Sequence, residues 1–312
     1  MTRAQWAEAL APGVRKWIDD AYQMPPTAFD KVFTVETSQK AFEEDVDSTG
    51  IGYLEATGEQ QAAPFEDPIS GYVTRYTHVT YRKGIQISKE LYDDDQTRIM
   101  KKRSMKLGAA GKRTPDFQAF SVFRNGFNTA FTSYGDAKPL FSTSHPRKDG
   151  GTSQSNASST GIALTDDNLE TGLLALRQVL DNKGNVITVG DTGEIILLVP
   201  LALEKKAARI TESELVSGSA NNDINIYKGR ITVIATRWIS ALVSGGSDTA
   251  WYLIDKGQSQ LNFFWREMFN IDEDYETLTR TLIMIANQRF SFGWSDWRGL
   301  WGSKGDTNSY SS

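Results

Sequence analysis

The chain has 312 residues, with 34 Lys and Arg against 39 Asp and Glu, two histidines and no cysteine. The missing cysteines exclude a disulfide framework, thiolate zinc sites and a cysteine nucleophile, and the formal charge of -5 with a pI near 5.3 lacks the basic excess of a dedicated nucleic-acid binder. The length suffices for one large domain or two joined ones. No stretch approaches the roughly 20 apolar residues of a membrane span, and MTRAQWAEALAPGVRKWIDD carries no signal-peptide core. A soluble chain, made in a cytoplasm and without membrane contact, is the expectation.

Residues 3–22 have helical character, with Trp6, Leu10, Val14, Trp17 and Tyr22 near one face. Pro12-Gly13 predicts a break or kink there, and a mobile arm. Short extended pieces and the acidic stretch EEDVDS follow. A long two-stranded arm is then expected: a first strand over residues 50–58 and a second over 72–88, YVTRYTHVTYRKGIQIS, rich in β-branched and aromatic residues. Between them, Pro64, Pro68 and flanking glycines disfavour regular structure.

Ser88 as N-cap, Glu90 and Asp93–Asp95 in the first turns, and the later basic run suit one helix over about 89–110. Gly111 and Pro115 predict its end, and a second helix carries Phe117, Phe120, Phe123, Phe127, Phe131 and Tyr134 as a core stripe. Residues 139–161 read as an exposed Ser/Gly-rich loop. Thr165 caps a helix bearing Leu169, Leu173, Leu176 and Leu180, and EIILLVP is a buried-type strand before the helix LALEKKAARI. Two strand-like runs flank Lys228-Gly229, strands return after Thr249, and the last ten residues are expected to fray. The eight tryptophans gather towards the two ends, where such rings bury large areas within or between subunits.

No catalytic motif emerges. Gly108 and Gly111 in GAAGKRT are too close together for a phosphate loop and follow no hydrophobic strand, so they read as a helix break. His78 falls on the second strand, and His145 in FSTSHPRK is a local hydrogen-bonding histidine without a nucleophile elbow. Asp272, Glu273, Asp274 and Glu276 lack calcium-loop spacing and read as a solvated turn. Lys101, Lys102, Arg103 and Lys106, followed by Lys112 and Arg113, form the strongest phosphate-facing candidate, without sequence specificity. No cofactor is expected.

Five stretches carry a resemblance: SKELYDDDQ (88–96), KPLFSTSHP (138–146), DINIYKG (223–229), AWYLID (250–255) and SDWRGLWGS (295–303). In order and spacing the chain resembles tailed-phage major capsid proteins of the Hong Kong 97 type fold, most closely the Mu-like major head subunit group, over about 28–303. That resemblance implies an α+β subunit with an N-terminal arm (1–48), an extended β-hairpin loop (49–87), a peripheral domain with a long spine helix (88–164), an α/β axial domain (165–248), and return strands of the peripheral domain with a C-terminal tail (249–312). It implies no catalytic residues.

Its function would be to assemble as hexamers and pentamers into an icosahedral shell around double-stranded DNA. Many copies of itself, with separate scaffolding, portal and decoration proteins, are the expected partners, and the virion the expected location. Tyr53, Phe65, Tyr76, Tyr81 and Lys83 are the candidate inter-subunit contacts. Lys101, Lys102, Arg103 and Lys106 would face DNA, and Trp297 with Arg298 would anchor the C-terminal segment. A tail-tube or connector subunit is the alternative virion role, and an enzyme acting through Asp272, Asp274 and His145 the rival of another class.

Overall fold

The computed structural model describes residues 3–24, 27–48, 52–66, 70–95, 98–132, 135–191, 194–215, 224–310 and 312. Gly50, Pro68, Gln96, Tyr134 and Asp223, all within stretches named above, lie outside them. The first elements are α1 (Arg3–Gln23), α2 (Phe29–Val32), β1 (Thr34–Thr37), β2 (Phe42–Ser48), β3 (Ser70–Thr77), β4 (Val79–Ser88) and α3 (Lys89–Asp93). The middle of the chain supplies α4 (Ile99–Ala119), α5 (Ser121–Arg124), α6 (Asp166–Arg177), β5 (Ile195–Pro200), α7 (Glu204–Thr211) and β6 (Ile231–Thr236). Four strands follow: β7 (Trp251–Asp255), β8 (Leu261–Glu276), β9 (Thr281–Trp294) and β10 (Leu300–Ser303). They gather into two compact units, each built from three separate stretches of chain.

The first unit comprises Met1–Glu43, Tyr76–Ala119 and Phe263–Phe292. Its sheet has the order β1-β8-β9-β4, with β4 antiparallel to β9 from Val79↔Phe290 to Ser88↔Thr281. Alternation puts Ile87, Leu282, Met284 and Ala286 on one face, where they meet Leu10, Val14 and Ile18 of α1 and Met100 and Leu107 of α4. The N-terminal segment is thus a packed helix rather than a mobile arm. It runs through Pro12 unbroken, because Leu10, Val14 and Ile18, one turn apart, hold it against α4. Helix α4 likewise continues through Gly111 and Pro115, and the break falls earlier, between α3 and α4.

The glycines that imitate a phosphate loop are packing devices. A Cβ on Gly108 would lie 2.1 Å from the Ile18 carbonyl oxygen, and one on Gly111 would lie 2.2 Å from the Phe269 ring. Each costs helix propensity of about 1 kcal/mol relative to Ala, which closer packing offsets. The same glycine that suggests a helix end in sequence allows α1 to approach α4.

The expected second strand, 72–88, is two strands divided at His78. Val79–Ser88 joins the sheet of the first unit, whereas β3 pairs with β2 in a separate ribbon. That ribbon corrects the first strand as well: it is the acidic FEEDVDS, not the glycine-containing 50–58, and residues 52–58 have no strand structure. At the division His78 is buried, with Nε2 3.2 Å from Ser38 Oγ and Nδ1 3.0 Å from Ser291 Oγ. Ser38 Oγ donates to Glu43 at 2.7 Å, so His78 donates through Nε2 and accepts from Ser291 through Nδ1.

The second unit comprises Glu44–Arg75, Phe120–Asn262 and Gly293–Ser312. Its sheet has the order β10-β7-β5-β6, with β5 and β6 parallel and β7 antiparallel to both β5 and β10. All six residues of β5 are buried, the signature of a central strand covered on both faces. Leu169, Leu173 and Leu176 of α6 pack on Leu197, Leu253 and Trp301, and the Thr165 hydroxyl accepts from Asn168 N at 3.2 Å as the cap. Leu180 lies beyond the helix end. Only one of the two runs near Gly229 is a strand, β6; Gly229 itself has φ +76°. Strands β7 and β10 complete this sheet, so the chain after Thr249 supplies strands to each unit.

Two segments expected to be exposed are built in. In 139–161, Leu140, Phe141, Ser142, His145, Asn156 and Ala157 are buried, and Phe123, Phe127 and Tyr252 surround Phe141. Of the aromatic stripe, Phe120 and Phe123 are core, whereas Phe117 is exposed, and Phe127 and Phe131 are half-buried after α5 rather than on a helix. Near the C-terminus Tyr310 is buried and donates to the Phe141 carbonyl at 2.6 Å, so that end is docked rather than frayed.

Gly108→Ala discriminates propensity from packing: it should lower unfolding stability by about 1–3 kcal/mol, since overpacking outweighs the helix gain, as read by urea denaturation. Burial first, and then the Arg289 charge, hold the His78 pKa below its ordinary value. The folded state therefore takes up this proton later than the unfolded chain, so stability present above about pH 6.5 is lost as pH falls towards the depressed value. Melting of His78→Gln should show a shallower decline on that acid limb than the parent chain.

Candidate assembly surfaces

Among the candidate contact residues, Tyr53 and Phe65 lie on a loop and Tyr76, Tyr81 and Lys83 on strands. The loop, 52–66, is extended and belongs to the second unit. Its ends are clasped: Glu66 accepts from Gly52 N at 2.8 Å and forms an ion pair with Lys183. Both contacts hold the Glu66 carboxyl below the usual range, the Lys183 hydrogen bond more than the Gly52 N–H. A turn at Gly58–Gln61, with Gln60 at φ +64°, forms the tip. Leu54 is fully exposed, Phe65 96% and Tyr53 73%, although the Tyr53 hydroxyl donates to the Val186 carbonyl at 3.1 Å. Leu54 escaped the sequence reading because a lone Leu among Glu and Tyr carries no periodic signal.

The strand residues behave differently. Tyr76 is only 3% exposed and packs edge-on against Phe264, which leaves it no surface to offer another copy in this conformation. Tyr81 is half-buried and stacked on Phe290 at 4.5 Å, and burial raises its phenol pKa. Lys83 is exposed on β4. Tyr53 and Phe65 thus belong to the second unit, and Tyr76, Tyr81 and Lys83 to the first.

Lys101, Lys102, Arg103 and Lys106 all project, exposed, from α4. Among the described residues none of the four forms an ion pair; Lys101 Nζ sits 5.9 Å from the Trp17 ring. Arg98 and Met100 precede the run in the same helix region, and no base-reading element accompanies it.

Trp297 and Arg298 are buried together in the second unit. Arg298 donates to the Leu180 carbonyl at 2.8 Å and to Asn182 Oδ1 at 3.0 Å, and its Nη1 lies 3.1 Å from Asp296. Its guanidinium also lies 4.7 Å from the Trp297 ring. On Trp297 stacks His145, 4.3 Å away and 8° from parallel. His145 Nδ1 is 2.6 Å from Asp136, and Nε2 is 3.1 Å from Asn156 Oδ1. The amide is oriented by its own bonds, since Nδ2 donates to Leu140 O and Oδ1 accepts from Ser142 N.

Both imidazole nitrogens of the buried His145 ring are thus engaged inside the protein. Asp272 accepts from Asn287, and Asp274 from Tyr275 N. Among the described residues no three metal-ligating side chains converge, and no helix is long and apolar enough to cross a membrane.

A family model described as phage capsid protein matches residues 71–302. The chain belongs to the phage capsid proteins. No curated protein matches it. Solved structures share its fold at low identity. The bacteriophage JBD30 capsid is 15% identical over 70% of this chain and 92% of its own, with a TM-score of 0.55. Mycobacterium phage Patience is 13% identical over 100% and 90%, with a TM-score of 0.55. The mature capsid of bacteriophage PhiM1 is 9% identical over 90% and 87%, with a TM-score of 0.58. The subunit accordingly has the mixed α+β, Hong Kong 97-like fold of tailed-phage major capsid proteins.

Removing the ring that His145 and Arg298 share should be severe for this capsid subunit. Trp297→Ala should cost about 3–5 kcal/mol of stability and lower the yield of soluble subunits, measured by thermal melting and by sedimentation of the expressed protein.

Proposed function

We propose that the chain is the major head subunit of a tailed bacteriophage, associating as hexamers and pentamers into an icosahedral shell around double-stranded DNA. Its role is structural rather than catalytic. The single observation that carries the shell reading is the clasped loop 52–66, which presents Leu54, Phe65 and Tyr53 to solvent from a segment without regular structure. Large apolar side chains in that state gain most when another copy covers them.

In this reading residues 1–48 form the arm, 49–87 the extended loop, 88–164 and 249–312 the peripheral domain and tail, and 165–248 the axial domain. Only the outer part of the extended loop reaches a neighbour, since Val79–Ser88 is committed to a sheet. Heterologous contacts that repeat around an axis close into a ring, and many small adaptable contacts suit positions of different curvature. The exposed Lys101, Lys102, Arg103 and Lys106 offer phosphate contact without base specificity. The acidic balance of the whole chain keeps that grip weak. Separate scaffolding, portal and decoration proteins complete the head, and synthesis takes place in the host cytoplasm before the subunit enters the virion. The five short stretches matched in order support a place in the Mu-like group.

Deleting residues 59–65 should leave the melting temperature of the subunit unchanged and abolish closed shells in negative-stain images. Normal shells from that variant would refute the loop's role, and open tubes or isolated rings from the parent chain would favour a tail-tube or connector subunit.

A further inference from the structure

Two hollows lie side by side along the seam of α1 and α4, both within the first unit. One, about 330 Å³, is lined by Lys16, Trp17, Asp20, Met24, Lys101 and Met105. The other, about 400 Å³, is lined by Ala21, Met24, Met105, Lys106, Ala109 and Arg113. Met24 and Met105 belong to both, which makes them one groove. Its floor is apolar and adaptable, with Met24 70% exposed. Its walls carry four cations, Lys16, Lys101, Lys106 and Arg113, against one carboxylate, Asp20. Among the described residues these cations form no ion pair; Arg113 spends only Nε on the Ala109 carbonyl. From 101 to 113 the α4 wall runs about 18 Å at the helical rise, room for about three turns of another helix.

We propose that this groove binds an acidic amphipathic helix from a separate polypeptide. The apolar stripe of the guest lies on Trp17, Met24 and Met105, and its flanking carboxylates meet Lys16, Lys101, Lys106 and Arg113. Apolar floor and basic rim together match that chemistry, the helix-in-groove mode of recognition, and the rim charge steers the encounter. Duplex DNA would engage the cations but leave the methionines and Trp17 against water, so a protein guest satisfies more of the surface. The inference goes beyond shell building and does not depend on it, because the groove lies within one subunit.

The test uses dispersed full-length subunits and a fluorescent peptide of about 18 residues, with Leu at i, i+3, i+4 and i+7 and Glu on the flanks, followed by anisotropy. Saturable binding is expected, weakened about tenfold or more by Lys101→Glu with Arg113→Glu and by Met105→Gln, and unaffected by Lys206→Glu, an exposed lysine of the second unit. Should the double variant fail to fold, Lys106→Glu alone at the exposed rim carries the charge arm of the test. Absence of saturable binding by the parent overturns the proposal. So does an equal loss on Lys206→Glu, or a short DNA duplex that displaces the peptide and is itself insensitive to Met105→Gln, either of which would mark a general polyanion surface.

Discussion

The approach of α1 to α4 at Gly108 is the constraint on which the first unit depends. Two helices normally keep their axes 8–10 Å apart because side chains stand between them. With no Cβ at Gly108, the Ile18 carbonyl takes the space a side chain would fill. That contact lets Leu10, Val14 and Ile18 share a core with Leu107 and the sheet residues Ile87, Leu282 and Met284. The same two helices also line the groove between Trp17 and Met105. One missing side chain thus connects the core on the inner face of the pair to the open surface on its other side.

Buried polar groups serve joining rather than chemistry. His78 bridges Ser38 and Ser291 where the long strand divides. His145 joins Asp136 to Asn156 beneath Trp297, and Asp116 receives the backbone N–H groups of Ala28 and Phe29 at 2.9 Å each at the start of α2. In every case the partner is distant in sequence or sits at a change of chain direction. Such groups, fully satisfied, fix one arrangement of the segments they connect.

What could be read from the chain follows from how local each signal is. The Thr165 cap, the leucines of α6 and the continuous apolar run of β5 are set by neighbours within a few residues, and these elements are where the pattern puts them. The acidic FEEDVDS carries no strand signal of its own, because its pairing is supplied by β3, across the loop. Residues 72–88 have one composition but two pairing partners, and composition carries no information about partners. Gly111 and Pro115 signal a helix end locally, but tertiary packing of α4 overrides that preference. Of the assembly candidates, Phe65 is exposed as a loop position suggests, and Tyr53 is exposed because the strand expected over 50–58 does not form. Tyr76 is not, because Phe264, almost two hundred positions away, covers it.

Each unit being stitched from three stretches has a consequence for biogenesis. Helices α1 and α4 are complete in sequence once residue 119 is made, yet the sheet that covers their apolar face waits for residues 263–292. At about 5–20 residues per second that is an interval of about ten to thirty seconds, during which Leu10, Val14, Ile18 and Leu107 have no sheet to cover them. Pairings so remote in sequence also form slowly after release. A cell making many copies at once therefore holds a standing population of half-covered chains, and crowding of ribosomes on one message brings such chains together. The yield of native subunits is consequently a kinetic quantity, set by synthesis rate and temperature as much as by the stability of the finished fold.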